Sequence, residues 1–426
     1  MLWKYKPKIV AITGSVGKTS TKDAVYAVLS KISYVRKSEK SFNSEIGLPL
    51  TILGVRNGWS NPLIWLLNIL KGLWLFLNPF GPQKYPKWLV LEVGIGKQGD
   101  MRKTAAWLKT DAVIMTAIGD TPPHVEFFNS HKHLIEEKSQ LLKTLKKDGI
   151  LVLNADDKAI LEMKEKSKHH TITYGFTEGV DVLGSGDAIF YNENNEPEGV
   201  IFRVDERGSS FPVVIEKVFG RNHVYATLSA LALSSGLKFN MLDAVNSLKN
   251  YEVAPGRMRL LQGIKDCLII DDTYNSSPFA CEFALKTLGE IKSKNGERRK
   301  IAILGDMLEL GRHTLSAHKN IGKVAKEILS ENLNGNENIL IVVGPRAKAI
   351  KEGAIENGMN AENIFEFLDS HAAGNFIKTF VEKNDFVLVK GSQGMRMERV
   401  VEAILLDQEN KNKLLVRQEA EWLEKK

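Results

Sequence analysis

Apolar runs of five or six residues alternate along the chain with stretches of helical period, which predicts an α/β protein with largely parallel sheets. The first run, Lys8-Ile-Val-Ala-Ile-Thr13, enters a glycine-containing turn and then a helix over about Thr19–Leu29. Trp88–Val93, Ala112–Thr116 and Gly149–Leu153 have the same continuous apolar character expected of buried strands. From Thr171 to Ile215 short β-rich pieces broken by Gly, Asn and Pro predict a hairpin excursion, and a helix follows at about Asn222–Ser235. After Pro255-Gly256-Arg257 the alternation restarts, with strands at Cys267–Asp271, Lys300–Leu304, Ile339–Val343 and Phe386–Val389. A domain boundary near 258 follows. The charged, helical tail from about Asp407 reads as a solvated surface helix.

One segment departs from this pattern. Leu63 to Leu77, bracketed by Pro62 and Pro79, is nearly all apolar. As a helix it would be about 23 Å long, short of the ~30 Å core of a bilayer. Asn68, Lys71 and Gly72 fall on one face and leave a wide face of Leu, Trp, Ile and Phe. Two readings stay open: an insertion packed on the protein or a dimer partner, or a helix lying in a membrane interface. Trp65, Trp74 and Lys71 suit the second.

Composition narrows the class without choosing a function. With 426 residues, 43% hydrophobic and 26% charged, the chain is neither disordered, collagen-like nor a coiled coil, and is long enough for two or three domains. The formal charge of +7 fits an enzyme for anionic substrates as easily as a nucleic-acid binder, and no Arg/Lys block of useful length separates the two; with the motifs below, no nucleic-acid partner is expected. Cys267 and Cys281 are too few for a disulfide framework or a zinc site, which points to a reducing cytoplasm. The opening Met1-Leu-Trp-Lys-Tyr-Lys-Pro7 holds no apolar core of signal-peptide length.

The candidate chemistry begins at Gly14-Ser15-Val16-Gly17-Lys18-Thr19-Ser20, between a strand and a helix. There, glycines let backbone N–H groups close on phosphate oxygens and the helix N-terminus favours an anion. Lys18 neutralises phosphate charge and Thr19 offers a hydroxyl to Mg²⁺. The spacing is two residues shorter between the glycines than the usual phosphate loop. Glu92 ends the run Leu89-Val-Leu-Glu92, where a carboxylate faces the ligand crevice of an open sheet and can hold a metal. His124, after Pro122-Pro123, belongs to a loop near the same sheet edge. Lys138, in Glu136-Glu137-Lys138-Ser, would by itself be a solvated helix lysine.

Several blocks carry a family resemblance. They are Ile12-Thr-Gly-Ser-Val-Gly-Lys-Thr-Ser-Thr-Lys22, Phe42-Asn-Ser-Glu-Ile-Gly-Leu-Pro-Leu-Thr51, Leu91-Glu-Val-Gly94 with Gly99-Asp100, and Pro255-Gly-Arg-Met258. Asp271-Asp-Thr-Tyr-Asn-Ser-Ser-Pro278, Leu304-Gly-Asp-Met-Leu-Glu-Leu-Gly311, Leu388-Val-Lys-Gly-Ser392 and Met395-Arg-Met-Glu398 continue them. Together they resemble the ATP-dependent Mur ligases of peptidoglycan synthesis, most closely the MurF type, which adds D-alanyl-D-alanine to a muramoyl tripeptide.

The resemblance implies a P-loop-like central domain over about 1–258, with the apolar insertion at about 57–87, and a Rossmann-like C-terminal domain over about 259–426. It implies ATP-dependent amide-bond formation through an acyl phosphate, with Lys18 and Thr19 on the phosphates and one Mg²⁺, and Glu92 a metal ligand. His124 is implied at a second Mg²⁺, and Lys138 matches the family lysine that CO₂ converts to a metal-ligating carbamate. Arg257 is implied at the γ-phosphate. Asp272, Tyr274 and Asn275 are implied to hold nucleotide from a C-terminal domain whose closure would complete the site, and Asn43 and Ser44 to face the acyl-acceptor region.

The chain also departs from the family pattern. It reads Gly220-Arg-Asn222-His223-Val-Tyr-Ala226 where the family carries Gly-x-His-Asn-x-x-Asn, so no adenine contact is assigned there. The Asp-Asn-Pro motif of the diaminopimelate-selecting type is absent. The phosphate-loop strand starts within ten residues of Met1, where the MurF type has a UDP-binding domain. Either the glycan-nucleotide end is bound elsewhere or the substrate lacks it. Rival readings are the same chemistry on a lipid-linked muramoyl peptide or polyglutamate-type chain, and a non-catalytic, nucleotide-gated, membrane-associated module. In either ligase reading the protein is cytoplasmic, with peripheral membrane contact through 63–77 an open expectation.

Overall fold

The structure is a computed structural model and describes residues 1–39, 42–78, 85–119, 130–292, 298–330 and 337–424. The chain forms two compact units. The first comprises Met1–Asp187, Phe202–Val213 and Arg221–Glu252; the second comprises Ala188–Ile201, Val214–Gly220 and Val253–Lys426.

The first unit begins with α1 (Leu2–Tyr5), β1 (Lys8–Thr13), α2 (Lys18–Ser30), β2 (Val35–Lys37), α3 (Gly47–Leu53) and α4 (Pro62–Leu77). It continues through β3 (Trp88–Glu92), α5 (Asp100–Trp107), β4 (Thr110–Met115), α6 (His131–Ser139), β5 (Leu145–Asn154), α7 (Lys158–Lys166) and β6 (His170–Gly175). Next come β7 (Val182–Tyr191), β8 (Pro197–Glu206) and β9 (Ser209–Glu216), of which residues 188–191, 197–201 and 214–216 fall in the second unit, and then α8 (Arg221–Gly236) and α9 (Met241–Ser247). The sheet order is β2-β3-β1-β4-β5-β6-β7-β8-β9, parallel from β2 through β7. The central runs are apolar at every position because both faces are covered: Ile9 through Ile12 and Leu89 through Leu91 are all buried. Strand β1 lies between β3 and β4, so the order reverses at β1 and a crevice opens at the C-terminal strand ends.

The second unit runs β10 (Arg259–Gln262), β11 (Leu268–Asp272), α10 (Pro278–Glu290), β12 (Lys300–Gly305), α11 (Thr314–Leu329), β13 (Ile339–Val343) and α12 (Lys348–Glu356). It ends with β14 (Ile364–Phe367), α13 (Ser370–Phe380), β15 (Phe386–Lys390), α14 (Glu398–Ile404), α15 (Lys411–Leu414) and α16 (Ala420–Leu423). Its order is β10-β11-β15-β12-β13-β14, parallel apart from β10. Ile270, Leu304 and Leu388 enter one apolar cluster, while Ile269, Ile303 and Val387 enter the other, so this sheet is also buried on both faces. The molecule is therefore α/β with two mostly parallel sheets, as the alternation implied.

Three features differ from expectation. The Thr171–Ile215 stretch forms full strands of six to ten residues rather than short pieces. A Cβ on Gly199 would lie 2.0 Å from the Ile215 carbonyl oxygen, so this glycine marks close strand approach rather than a break. The strands β2, β10 and β14 carry no periodic signal; they are sheet edges of three or four residues, too short to show a period. The tail is not a solvated helix. Leu415 and Arg417 are buried, and the Arg417 guanidinium reaches the Thr273 and Tyr274 carbonyl oxygens and the Glu398 carboxylate. A charged sequence hides such docking when its partner is a buried acid.

Candidate active site

The crevice at the end of β1 is shaped first by glycine. Gly14 has φ +153°, and a Cβ there would fall 1.9 Å from Thr116 Oγ1, beyond the end of β4. Gly17, at φ +83°, caps the N-terminus of α2. Ser15 N and Val16 N donate to the Ala117 carbonyl at 2.6 and 3.2 Å, and Thr116 Oγ1 donates to Val16 O at 2.6 Å. The loop is thus braced by the chain leaving β4. Ser15 Oγ is buried with no hydrogen-bond partner among the described residues, which suits a loop that takes a phosphate oxygen.

Two amines converge on one carbonyl. Lys18 Nζ donates to Gly14 O at 3.0 Å and Ser15 O at 3.2 Å, and Lys138 Nζ donates to Gly14 O at 2.9 Å. Lys138 comes from α6 and is 4% exposed. Burial, and secondarily the charge of Lys18, hold its amine well below the ordinary lysine range.

Glu92, at the end of β3, is buried and held from two sides. Thr19 Oγ1 donates to Oε2 at 3.0 Å and Asn43 Nδ2 donates to Oε1 at 3.1 Å. Asn43 is fixed in turn, its carbonyl accepting from Gly94 N at 2.9 Å. A hydroxyl and a carboxylate in contact form a hard-oxygen pair that fits Mg²⁺. Ser20 is buried in the first turn of α2, and Ser44 Oγ accepts from Gly47 N at 3.2 Å, supporting the start of α3. His124 lies outside the described residues, and among those described no three His, Cys, Asp or Glu side chains cluster as a metal site.

The second unit gathers its own residues at the ends of β11 and β15. Asp272 Oδ2 accepts from Lys390 Nζ at 2.6 Å and Oδ1 from Met258 N at 3.2 Å, while Lys390 also donates to Asn275 O. The Arg257 guanidinium lies 3.8 Å from the centroid of the Tyr274 ring. Asp271 is fully buried; its carboxylate accepts from Gly256 N and from Thr273 N and Oγ1. Desolvation nonetheless pushes it up to about 6. Sequence alone assigns Lys390 no role, although a lysine ending an all-apolar strand carries the same signal as Glu92. His223, beside the departed asparagine motif, is buried with Nδ1 2.8 Å from Tyr251 Oη.

A glycine loop with converging lysines, opening a helix beside a strand-end carboxylate, defines an ATP-binding α/β enzyme. Residues 12–64 and 77–234 match the Mur ligase middle domain, and residues 256–393 match the Mur ligase glutamate ligase domain. The chain belongs to the Mur ligase family and is an ATP-dependent amide ligase of MurF-like type. It is 26% identical to the UDP-N-acetylmuramoyl-tripeptide--D-alanyl-D-alanine ligase of Bacillus subtilis, over 93% of this chain and 76% of the relative. It is 28% identical to the Synechocystis enzyme of that name, over 95% and 76%. In fold it is similar to the MurF ligase of Thermotoga maritima in complex with ADP, with a TM-score of 0.72 at 24% identity over 94% and 80% of the two chains.

Proposed function

We propose that this enzyme joins D-alanyl-D-alanine to the terminal carboxylate of a muramoyl peptide precursor in the cytoplasm, using ATP and Mg²⁺. The observation that carries the reading is the convergence of Lys18 and Lys138 on the Gly14 carbonyl beside a loop that opens onto Thr19 and Glu92. The amine and the acyl substrate are those in the names of the relatives.

The precursor carboxylate oxygen attacks the γ-phosphorus, ADP leaves, the amine attacks the acyl carbon and inorganic phosphate departs. Lys18 and the loop amides offset charge on the phosphoryl group. Thr19 and Glu92 would hold one Mg²⁺, which polarises the phosphate oxygens when bound; His124 and Lys138 would serve a second. Two ammonium groups on one carbonyl repel, and burial favours the neutral amine at Lys138. A neutral amine adds CO₂ and releases a proton, leaving a carbamate able to ligate metal. Arg257, Asp272, Tyr274 and Asn275 are the nucleotide-facing groups of the second unit in this reading, and Asn43 and Ser44 border the acceptor.

ADP release tests it, measured with UDP-linked and lipid-linked muramoyl tripeptide, each with and without D-alanyl-D-alanine. Release that requires precursor and dipeptide together is the expected result. Release driven instead by glutamate and a polyglutamate acceptor would replace the substrate assignment. Lys138→Ala should be inactive and partly restored by acetate. Full activity of that variant in CO₂-depleted buffer would exclude the carbamate.

A further inference from the structure

Helix α4 wears its polarity inside out. Its N-terminus is capped by Asn61, whose Oδ1 accepts from Leu63 N and Ile64 N, and Pro62 sets the first turn. The side chains directed at the protein are the polar or small ones. Asn68 Nδ2 donates to Arg56 O at 2.9 Å, Lys71 Nζ donates to Gly54 O at 2.7 Å, and Gly72 lies against Leu53. Of its large apolar residues, Leu75 alone is buried. Leu66, Leu67, Leu70, Leu73, Trp74 and Leu77 are each between 50% and 70% exposed. An ordinary surface helix has the opposite arrangement. A continuous apolar face of this extent on a stable domain marks an interaction site.

The helix is also held as a fixed element. Lys4 Nζ donates to the carbonyl oxygens of Leu75, Phe76 and Asn78, and Tyr5 Oη donates to Leu75 O. These bonds satisfy C-terminal carbonyls that would be costly to leave bare beside hydrocarbon. Trp3, on α1, is 85% exposed at this end, and Trp59 is half exposed near the other, where its carbonyl accepts from Trp65 Nε1. The family match omits residues 65–76, so the apolar face belongs to this chain and not to the shared ligase framework.

Charge decides what covers the face. No Asp or Glu occurs between Glu45 and Glu92 or before Asp23, whereas Lys4, Lys6, Lys8, Arg56, Lys71 and Lys87 all lie in those stretches. Lys6, Arg56 and Lys87 are exposed. Two copies joined through α4 would bring like charges together, because neither stretch carries an acid of its own. A surface of anionic lipid answers the cations and accepts the apolar stripe and flanking tryptophans together. We infer that α4 and α1 form a docking face that lies in the interface of an anionic membrane, parallel to its plane. No helix among the described residues is long and apolar enough to cross one.

The docking face and the phosphate loop adjoin opposite ends of β1. Helix α1 leads into its N-terminal end and the loop leaves its C-terminal end, six residues or about 20 Å away. Membrane contact can therefore be removed without touching the ligase residues.

Flotation of the full chain with vesicles of phosphatidylcholine plus phosphatidylglycerol, and of phosphatidylcholine alone, tests the inference. The intact protein should float with the anionic vesicles and much less with the neutral ones. Leu66→Ser, Leu70→Ser, Leu73→Ser and Trp74→Ser combined should weaken partitioning at least about tenfold. Lys6→Glu with Arg56→Glu, at exposed sites that leave the apolar face intact, should weaken it about fivefold per lost cation and restore the fold control if the first variant misfolds. ADP release by either variant on a water-soluble precursor should match the parent, which separates this outcome from failure of the ligase reading. Absence of the intact protein from the anionic-vesicle fraction overturns the inference. So does a concentration-dependent dimer in sedimentation that the fourfold serine variant converts to monomer, because a second copy would then be the occupant.

Discussion

The two units place cations at the ends of their central strands in opposite ways. In the first, Lys18 rests on the carbonyl dipoles of Gly14 and Ser15. In the second, Lys390 is bonded to the Asp272 carboxylate, and Arg396 and Arg417 enclose buried Glu398. A carbonyl carries only a partial charge, so the first arrangement leaves positive potential for a phosphate to answer. A carboxylate cancels the charge outright, so the second makes a scaffold that fixes backbone. Arg417 shows this most clearly, tying the C-terminal tail to the Thr273 and Tyr274 carbonyls. In the proposed reading, a cation at a strand end thus serves binding in one unit and architecture in the other, and the partner tells them apart.

The contrast makes separable claims about stability and activity. The largest effect should come from Glu398→Gln, which leaves two buried guanidinium groups without their carboxylate. Breaking a buried pair costs about 3–5 kcal/mol, so urea unfolding followed through Trp422 should show the second unit weakened by that order. A loss under about 1 kcal/mol would mean that the Arg396–Glu398–Arg417 cluster is not a scaffold. Lys18→Ala should lower ligation at least about a hundredfold while leaving unfolding unchanged. A comparable loss of stability in that variant would make Lys18 architectural and erase the contrast.

Asp271 offers the smallest and most selective test. Its folded carboxyl is raised to about 6 from 3.8 by desolvation, so the folded state holds the proton more tightly than the unfolded chain does. The stabilisation is present below pH 3.8 and is lost as pH rises to about 6. The difference in unfolding free energy between the parent and Asp271→Asn should therefore fall through that window. The expected change is up to about 3 kcal/mol, at about 1.4 kcal/mol per tenfold difference in proton affinity. A difference that stays flat with pH would show that the donors from Gly256 and Thr273 fully offset the burial.

The features readable from sequence are those whose cause is local. The strand β13 matches the expected Ile339–Val343 at both ends because a doubly covered parallel strand must be apolar at every position. The phosphate loop is legible because Gly14 and Gly17 must adopt positive φ beside a helix start that carries Lys18 and Thr19. The apolar face of α4 is equally plain, as are the residues opposite it. Which of the two faces meets the protein is not in the pattern, since hydrophobic periodicity assumes that the apolar side turns inward. The hydrogen bonds from Asn68 and Lys71 to backbone carbonyls reverse that assumption.

Partnerships across long stretches of chain were decided by tertiary structure alone. Lys138 lies in Glu-Glu-Lys-Ser, a setting that predicts a solvated side chain, yet it is buried on a carbonyl 124 residues earlier. Asn43, expected near the acyl acceptor through resemblance, braces Glu92. The tail that read as solvated holds Arg417 against an acid and two carbonyls. A residue's own neighbours set its backbone preference, and the sequence by itself determined that much here, whereas the burial of Lys138 and Arg417 came from tertiary packing. What a buried charge faces depends on which strand ends the topology brings together, and no local period records that.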